Sequence, residues 1–149
     1  MNLVKTIEQY NNDNIFFCEP IKNNIMNDGI FIRLLYSTDI ISFNGVYLLI
    51  NLNNIVCEKF YNKYKCIFDI NMHKDIINNV KVIEENILQK YKTNKIPSFK
   101  INEQLQNGYI KIFENIENKN HCSLILKISG IWETDITYGL TYKFITIKQ

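Results

Sequence analysis

Residues 73–92 read HKDIINNVKVIEENILQKYK, and their apolar positions decide how the chain is organised. Ile76, Ile77, Val80, Ile83, Ile87, Leu88 and Tyr91 recur at steps of three and four. That spacing places them on one face of an amphipathic helix of about five turns. Asn71 is positioned to cap this helix, and Asp75 sits in the first turn, where the helix dipole favours a carboxylate. Pro97 stops the pattern soon afterwards. The face made by Ile76, Val80, Ile83 and Ile87 is the expected contact with a core.

On both sides of the helix the period falls to two. Segments 14–18 and 30–36 are short runs of β-branched, aromatic and Leu residues bounded by Asn, Asp and Gly. Segment 44–52 opens on the turn-prone pair Asn44-Gly45. Segment 59–68 alternates, with Phe60, Tyr64, Cys66 and Phe68 on one side and Lys59, Tyr61, Lys63 and Lys65 on the other, as a half-buried strand should. After the helix, residues 102–106 suit one helical turn closed by Asn107-Gly108. Strands at 109–113, 123–132 and 138–147 follow, the last two joined by a hairpin-length connection. Strands, one long helix and strands again predict an α+β fold that is mostly β. The expectation is a small OB-like barrel or twisted antiparallel sheet, with the helix packed on it or plugging one end. With 149 residues and no Pro- or Ser-rich linker, the chain reads as a single domain.

The composition is skewed: 27 Ile, 22 Asn and 16 Lys stand against one Arg (Arg33) and no Ala. AT-rich coding accounts for these departures together. The scattered Asn pairs are therefore not a prion-like tract, and Lys in place of Arg reflects codon supply. A net charge of +2 is a mild electrostatic signal, so polyanion binding would need a local patch. Cys18, Cys57, Cys66 and Cys122 form no C-x-x-C pair, and a structural zinc is not expected. Cys57 and Cys66 fit two places on one strand, so all four cysteines are expected as free thiols. The polar start of the chain is not a signal peptide. Its longest dense apolar run, residues 46–50, is too short to span a bilayer. These features predict a soluble, intracellular domain with no membrane partner.

Side chains capable of chemistry are dispersed. His121 and Cys122 are adjacent and would point to opposite faces of a strand. His73 reads as a solvated residue at the helix start, and Glu84-Glu85 as part of the helix's polar side. Glu133 and Asp135 read as exposed turn carboxylates. The five glycines stand alone, so there is no phosphate-cradling loop. The reading is a binding protein and not an enzyme, with no metal or cofactor.

Two surfaces suit binding. The strand at 59–65 puts Lys59, Tyr61, Lys63 and Lys65 on one face, where lysines can follow phosphates while a ring stacks on a base. The strand at 109–113 does the same with Tyr109, Lys111 and Phe113. Lys127 and Lys143 lie centrally in the two following strands, so three consecutive strands each carry a central lysine.

Near the C-terminus, Ser129-Gly130-Ile131-Trp132 followed by Tyr138-Gly139-Leu140-Thr141-Tyr142-Lys143-Phe144 resembles the closing hairpin of OB-fold single-stranded DNA-binding proteins of phages and large DNA viruses. In that group a strand ending Gly-(Ile/Val)-Trp precedes one reading Gly-(Leu/Val)-(Ser/Thr)-aromatic-Lys-apolar. Leu35-Tyr36-Ser37 and Phe43-Asn44-Gly45-Val46-Tyr47 are similar to segments of short proteins from nucleo-cytoplasmic large DNA viruses. The resemblance implies architectural roles for Gly130, Trp132, Gly139 and Leu140, and a DNA contact for Lys143. It implies a sequence-tolerant single-stranded DNA- or RNA-binding protein at a viral replication site in the host cell. The alternative is a non-enzymatic structural or assembly protein of the virion, whose strand faces meet other viral proteins or further copies of itself.

Overall fold

A computed structural model describes residues 3–22 and 29–147. The fold is α+β and mostly β, an OB-like half-barrel with one long helix. Its strands are β1 (Ile15–Phe17), β2 (Ile21–Lys22), β3 (Ile30–Ser37), β4 (Ser42–Asn44), β5 (Val46–Asn53), β6 (Val56–Phe60), β7 (Lys63–Ile67), β8 (Ile96–Ser98), β9 (Tyr109–Ile112), β10 (His121–Glu133) and β11 (Thr137–Thr146). Helix α1 (Lys74–Lys90) falls between β7 and β8, and α2 (Lys100–Gln106) between β8 and β9. Eight strands form one sheet, and β6, β7 and β9 form a second.

The large sheet is built on β10. One edge pairs with β11, from Leu124–Thr146 to Glu133–Tyr138. The other edge is divided: His121 to Ile128 pair with β5, and Gly130 to Glu133 pair with β3. A bulge between Ile128 and Gly130 marks the change of partner. Two glycines permit it. A Cβ on Gly130 would collide with the Ile32 carbonyl and the Phe31 ring, and one on Gly45 would lie 2.7 Å from the Ile128 carbonyl oxygen. Gly45 also adopts φ 91°, and its N–H donates to Leu34 O at 2.8 Å.

Alternate residues then point inward. Leu48, Ile50 and Leu52 of β5, Leu124, Leu126 and Ile128 of β10, and Ile32 and Leu34 of β3 are all essentially inaccessible. Helix α1 lays Ile77, Val80, Ile83, Ile87 and Leu88 on this core, while Ile76 is only half-buried. Five such side chains contribute on the order of 10 kcal/mol of burial.

The structure corrects several expectations. Segment 59–68 is not one strand: it turns at Tyr61-Asn62, so β6 and β7 are a hairpin paired from Phe60–Lys63 to Val56–Ile67. Asn71 does not cap α1. Its own N–H donates to Asp69 Oδ1 within a 3-10 turn over Asn71–His73, and α1 begins at Lys74. Residues around 102–106 form a seven-residue helix, and Pro97 lies in β8, which pairs in parallel with β11. His73 is buried, not solvated. Its Nε2 accepts from Asn53 N at 2.9 Å, and its Nδ1 lies 2.7 Å from Asp69 O, so the ring ties β5 to the start of α1.

Two carboxylates expected in solvent are also buried, and both hold helices in place. Glu84 of α1 is 1% exposed and accepts from Ile101 N at 3.0 Å and Asn102 N at 2.9 Å. It thereby supplies the N-terminal cap that α2's own residues lack. Burial raises its carboxyl to about 6, against the pull of those two donors. Glu133, at the end of β10, accepts from Tyr91 Oη at 2.7 Å and Thr93 Oγ1 at 3.2 Å, and pairs with Lys95 at 3.0 Å. Burial alone would raise it, but Tyr91, Lys95 and Thr93 together hold it below the usual carboxylate range.

These two groups should respond to acid with opposite signs. Glu84 titrates higher in the fold than in the unfolded chain, so the fold takes up its proton first. Relative to Glu84→Gln, the parent should gain up to about 2 kcal/mol as pH falls from 7 to 4.5, a gain complete below the unfolded value. Urea unfolding of both proteins across that range is the check, and a flat difference would contradict the buried placement. Glu133 titrates lower in the fold, so its contribution is present at neutral pH and disappears below the ordinary carboxyl range. Glu133→Gln should cost about 1–3 kcal/mol at pH 7, and the deficit should close as the parent is acidified.

Candidate nucleic-acid interface

The turn at Tyr61-Asn62 determines which side chains share a face. In a strand, neighbours alternate between faces, but residues paired across a hairpin point the same way. Phe60 pairs with Lys63, Glu58 with Lys65 and Lys59 with Tyr64. The odd positions of β6 therefore join the even positions of β7. Lys59 lies with Cys57, Tyr64 and Cys66 on the face opposite Lys63 and Lys65, which corrects its expected place among them. Tyr61 belongs to neither face: it sits at the hairpin tip with φ 56° and is 84% exposed.

Strand β9 completes this small sheet. Its register places Lys111 opposite Lys65 and Tyr109 opposite Ile67. Ile110 and Ile112 point into the core with Cys66, so Tyr109, Lys111 and, just past the strand end, Phe113 point outward. The two expected surfaces are thus one. Lys63, Lys65, Tyr109, Lys111 and Phe113 share the open face with Phe60, which strict alternation along 59–68 would have sent to the interior. Phe60 and Phe113 are more than half exposed. Within these strands the three ammonium groups meet one carboxylate, Glu58.

Rings and cations on this face are interleaved. Lys63 Nζ lies 5.4 Å from the Phe113 ring centre, Lys65 Nζ 4.6 Å from Tyr109 and Lys111 Nζ 6.0 Å from Tyr109. Each contact is worth ~0.5–1 kcal/mol at an exposed site. The Tyr109 ring is thus flanked by two ammonium groups, Lys65 and Lys111.

Lys127 and Lys143 do not extend this face. They belong to the large sheet, where they are directly opposite one another on β10 and β11. Tyr47 of β5 is Lys127's partner on the other side, with Lys127 Nζ 5.5 Å from its ring centre. The three consecutive lysine-bearing strands are therefore split between two sheets, and Tyr47 is a component that sequence reasoning missed. Each sheet carries a similar unit: two lysines in direct cross-strand register beside a tyrosine ring, which lies under both lysines in the small sheet and under Lys127 in the large one.

Like charges directly opposed across a ladder destabilise it, so both rows carry a repulsion that an anion placed between the lysines would relieve. A separate cavity of about 270 Å³ is lined by Glu114, Glu117, His121, Cys122 and neighbouring residues, and its two carboxylates disfavour a phosphate there. Among the described residues, no group of three His, Cys, Asp or Glu side chains could hold a metal ion, and no helix is long and apolar enough to cross a membrane. Comparison of the chain with protein-family models, curated proteins and solved structures finds no match.

Proposed function

We propose that this protein binds single-stranded nucleic acid without strong sequence preference, through lysine–phosphate contacts and base stacking on open sheet faces. The observation that carries this reading is the paired-lysine row beside a tyrosine, present on each sheet as Lys65–Lys111 with Tyr109 and as Lys127–Lys143 with Tyr47. A row of this kind costs stability in the free protein and is relieved by a polyanion. The flanking rings provide stacking platforms that every base can use. The resemblance of the β10–β11 hairpin to that of viral single-stranded DNA-binding proteins supports the same reading, and with it a place in viral DNA replication.

A second reading has its own support. Phe60, Tyr61 and Phe113 are exposed together with Val56 on and around the small sheet, and aromatic side chains on an open face also suit a protein neighbour. Under that reading the chain is an assembly component.

Fluorescence polarisation with a labelled dT oligomer across salt separates the two. The parent should bind, with affinity falling steeply as salt rises. Changing Lys65 and Lys111 to Gln should reduce the magnitude of the salt slope by about 0.7 for each phosphate of a single strand that is no longer neutralised. Tyr109→Ala should cost ~1–3 kcal/mol while keeping the slope, because stacking is largely independent of salt. Lys59→Gln, on the opposite face, should change neither. A parent that ignores the oligomer at low salt but self-associates would overturn the nucleic-acid reading in favour of assembly.

A further inference from the structure

Cys57 and Cys66 do not occupy one strand, as their spacing had suggested. They are direct partners across the β6–β7 hairpin, with Sγ atoms 2.8 Å apart. The turn closes on Phe60–Lys63, and pair types alternate outward from there. Cys57–Cys66 therefore falls on a pair without mutual backbone hydrogen bonds, the type in which side chains approach most closely. Such a pair brings its Cα atoms within the span a disulfide bridges. Both sulfurs already point to the same face, so no backbone rearrangement is needed to join them.

The surroundings of the pair indicate what a cross-link would do. Among the described residues, β6 is an edge strand, paired only with β7. Val56, Glu58, Lys59 and Phe60 are all exposed, and Cys57 alone is partly buried. Cys66 beside it is fully buried in the core. The sole side-chain anchor of β6 is thus a cysteine in contact with a core cysteine. We propose that Cys57 and Cys66 are a modification site: a reversible disulfide, formed by exchange with a small-molecule disulfide, that clamps the edge strand to the core.

The half-exposed Cys57 is the sulfur an exchange partner can reach. Its thiolate attacks one sulfur of RSSR, the S–S bond breaks, and one RS⁻ leaves and takes up a proton. Cys66 Sγ then attacks the Cys57 sulfur of the mixed disulfide, giving its proton to the second departing RS⁻. The protein loses two hydrogens and is oxidised, while RSSR is reduced to two RSH. Burial, followed by the hydrogen bond it shares with Cys57, pushes the Cys66 thiol far above its ordinary range. This suits Cys66 to the second, intramolecular step and not to the first. Cys122 is also buried and lies near enough to both thiols to interact with them electrostatically, so the test must distinguish it from the proposed pair.

The test uses the folded chain and oxidised glutathione, followed by quenching, intact-mass measurement and peptide mapping under non-reducing conditions. In the parent, Cys57 and Cys66 should map to one linked peptide, two hydrogens lighter and free of glutathione, whatever adduct the equally half-buried Cys18 carries. The parent's melting temperature should rise by several degrees and return on reduction. Cys66→Ser should stop at a single glutathione adduct on Cys57, and Cys122→Ser should close as the parent does. A parent that keeps glutathione on Cys57, stays fully reduced, or maps to a bond involving Cys122 would overturn the proposal. Mapping of the parent decides between these outcomes even if a variant does not fold.

Discussion

The whole sheet depends on one edge of β10 serving two strands in succession. Backbone pairing leaves no slack, because ladder hydrogen bonds hold neighbouring strands about 4.8 Å apart. To change partners from β5 to β3 within a residue or two, β10 must bend, and the departing and arriving backbones must cross at close range. Gly45 and Gly130 are the points of that crossing, each without room for a Cβ. The bend turns the β3 end of the sheet toward the β5 end. The inward rows of β3, β5, β10 and β11 then converge on one core in place of two flat faces. It also determines which rows face outward: once Leu126 and Ile128 are inside, Lys127 must be outside, with Tyr47 and Lys143 in register beside it.

Enclosure of that core by the helices relies on placed carboxylates as well as on apolar area. Glu84 would be costly on a buried helix face if it were unpaired. It is tolerated because α2 begins where its carboxylate points, and that helix start has backbone N–H groups with no acceptor of their own. Each group meets the other's need, so α1 and α2 are positioned relative to one another by two hydrogen bonds. Glu133 does similar work at the other end of α1, gathering Tyr91, Thr93 and Lys95 where the chain leaves the helix. The Tyr91 ring in turn packs against Phe17 and Tyr138, linking this cluster to β1 and β11.

Periodicity made much of this legible. The steps of three and four in α1 and of two in β3, β5, β10 and β11 reflect burial on one side of a regular element, and burial is what selects apolar residues. Features that depend on partners far along the chain were not legible. Nothing near Glu84 announces α2, seventeen residues later, and nothing near His73 announces the Asn53 N–H it accepts. The hairpin at Tyr61-Asn62 was missed for a different reason. A two-residue turn preserves alternation within each strand and inverts it across the turn, so segment 59–68 looks regular from end to end. Asn62 was the available cue, since Asn favours turns. Read as one strand, the segment puts Lys59 on the wrong face, sends Phe60 inward, and separates two cysteines that are partners.

The outward rows still need a physical account in the free protein, since Lys65 faces Lys111 and Lys127 faces Lys143. Ring contacts supply part of it. Lys127 is drawn over Tyr47, away from Lys143, whereas Lys65 and Lys111 share the electron-rich face of Tyr109, which gives both charges a favourable surface. In the small sheet Glu58, directly across from Lys65, offsets part of the repulsion, and in both rows water and salt screen ammonium groups on long stems. The balance is narrow by construction. Repulsion within a row is tolerable only while the stems can splay apart, and a phosphate placed between them would convert it into two attractions. Strand β6 lies at the edge of one such row, contributing Phe60 and Glu58 to it, held by its backbone ladder to β7 and by a single inward side chain, Cys57. How firmly that strand is held therefore sets how well the basic and aromatic face of the small sheet keeps its shape.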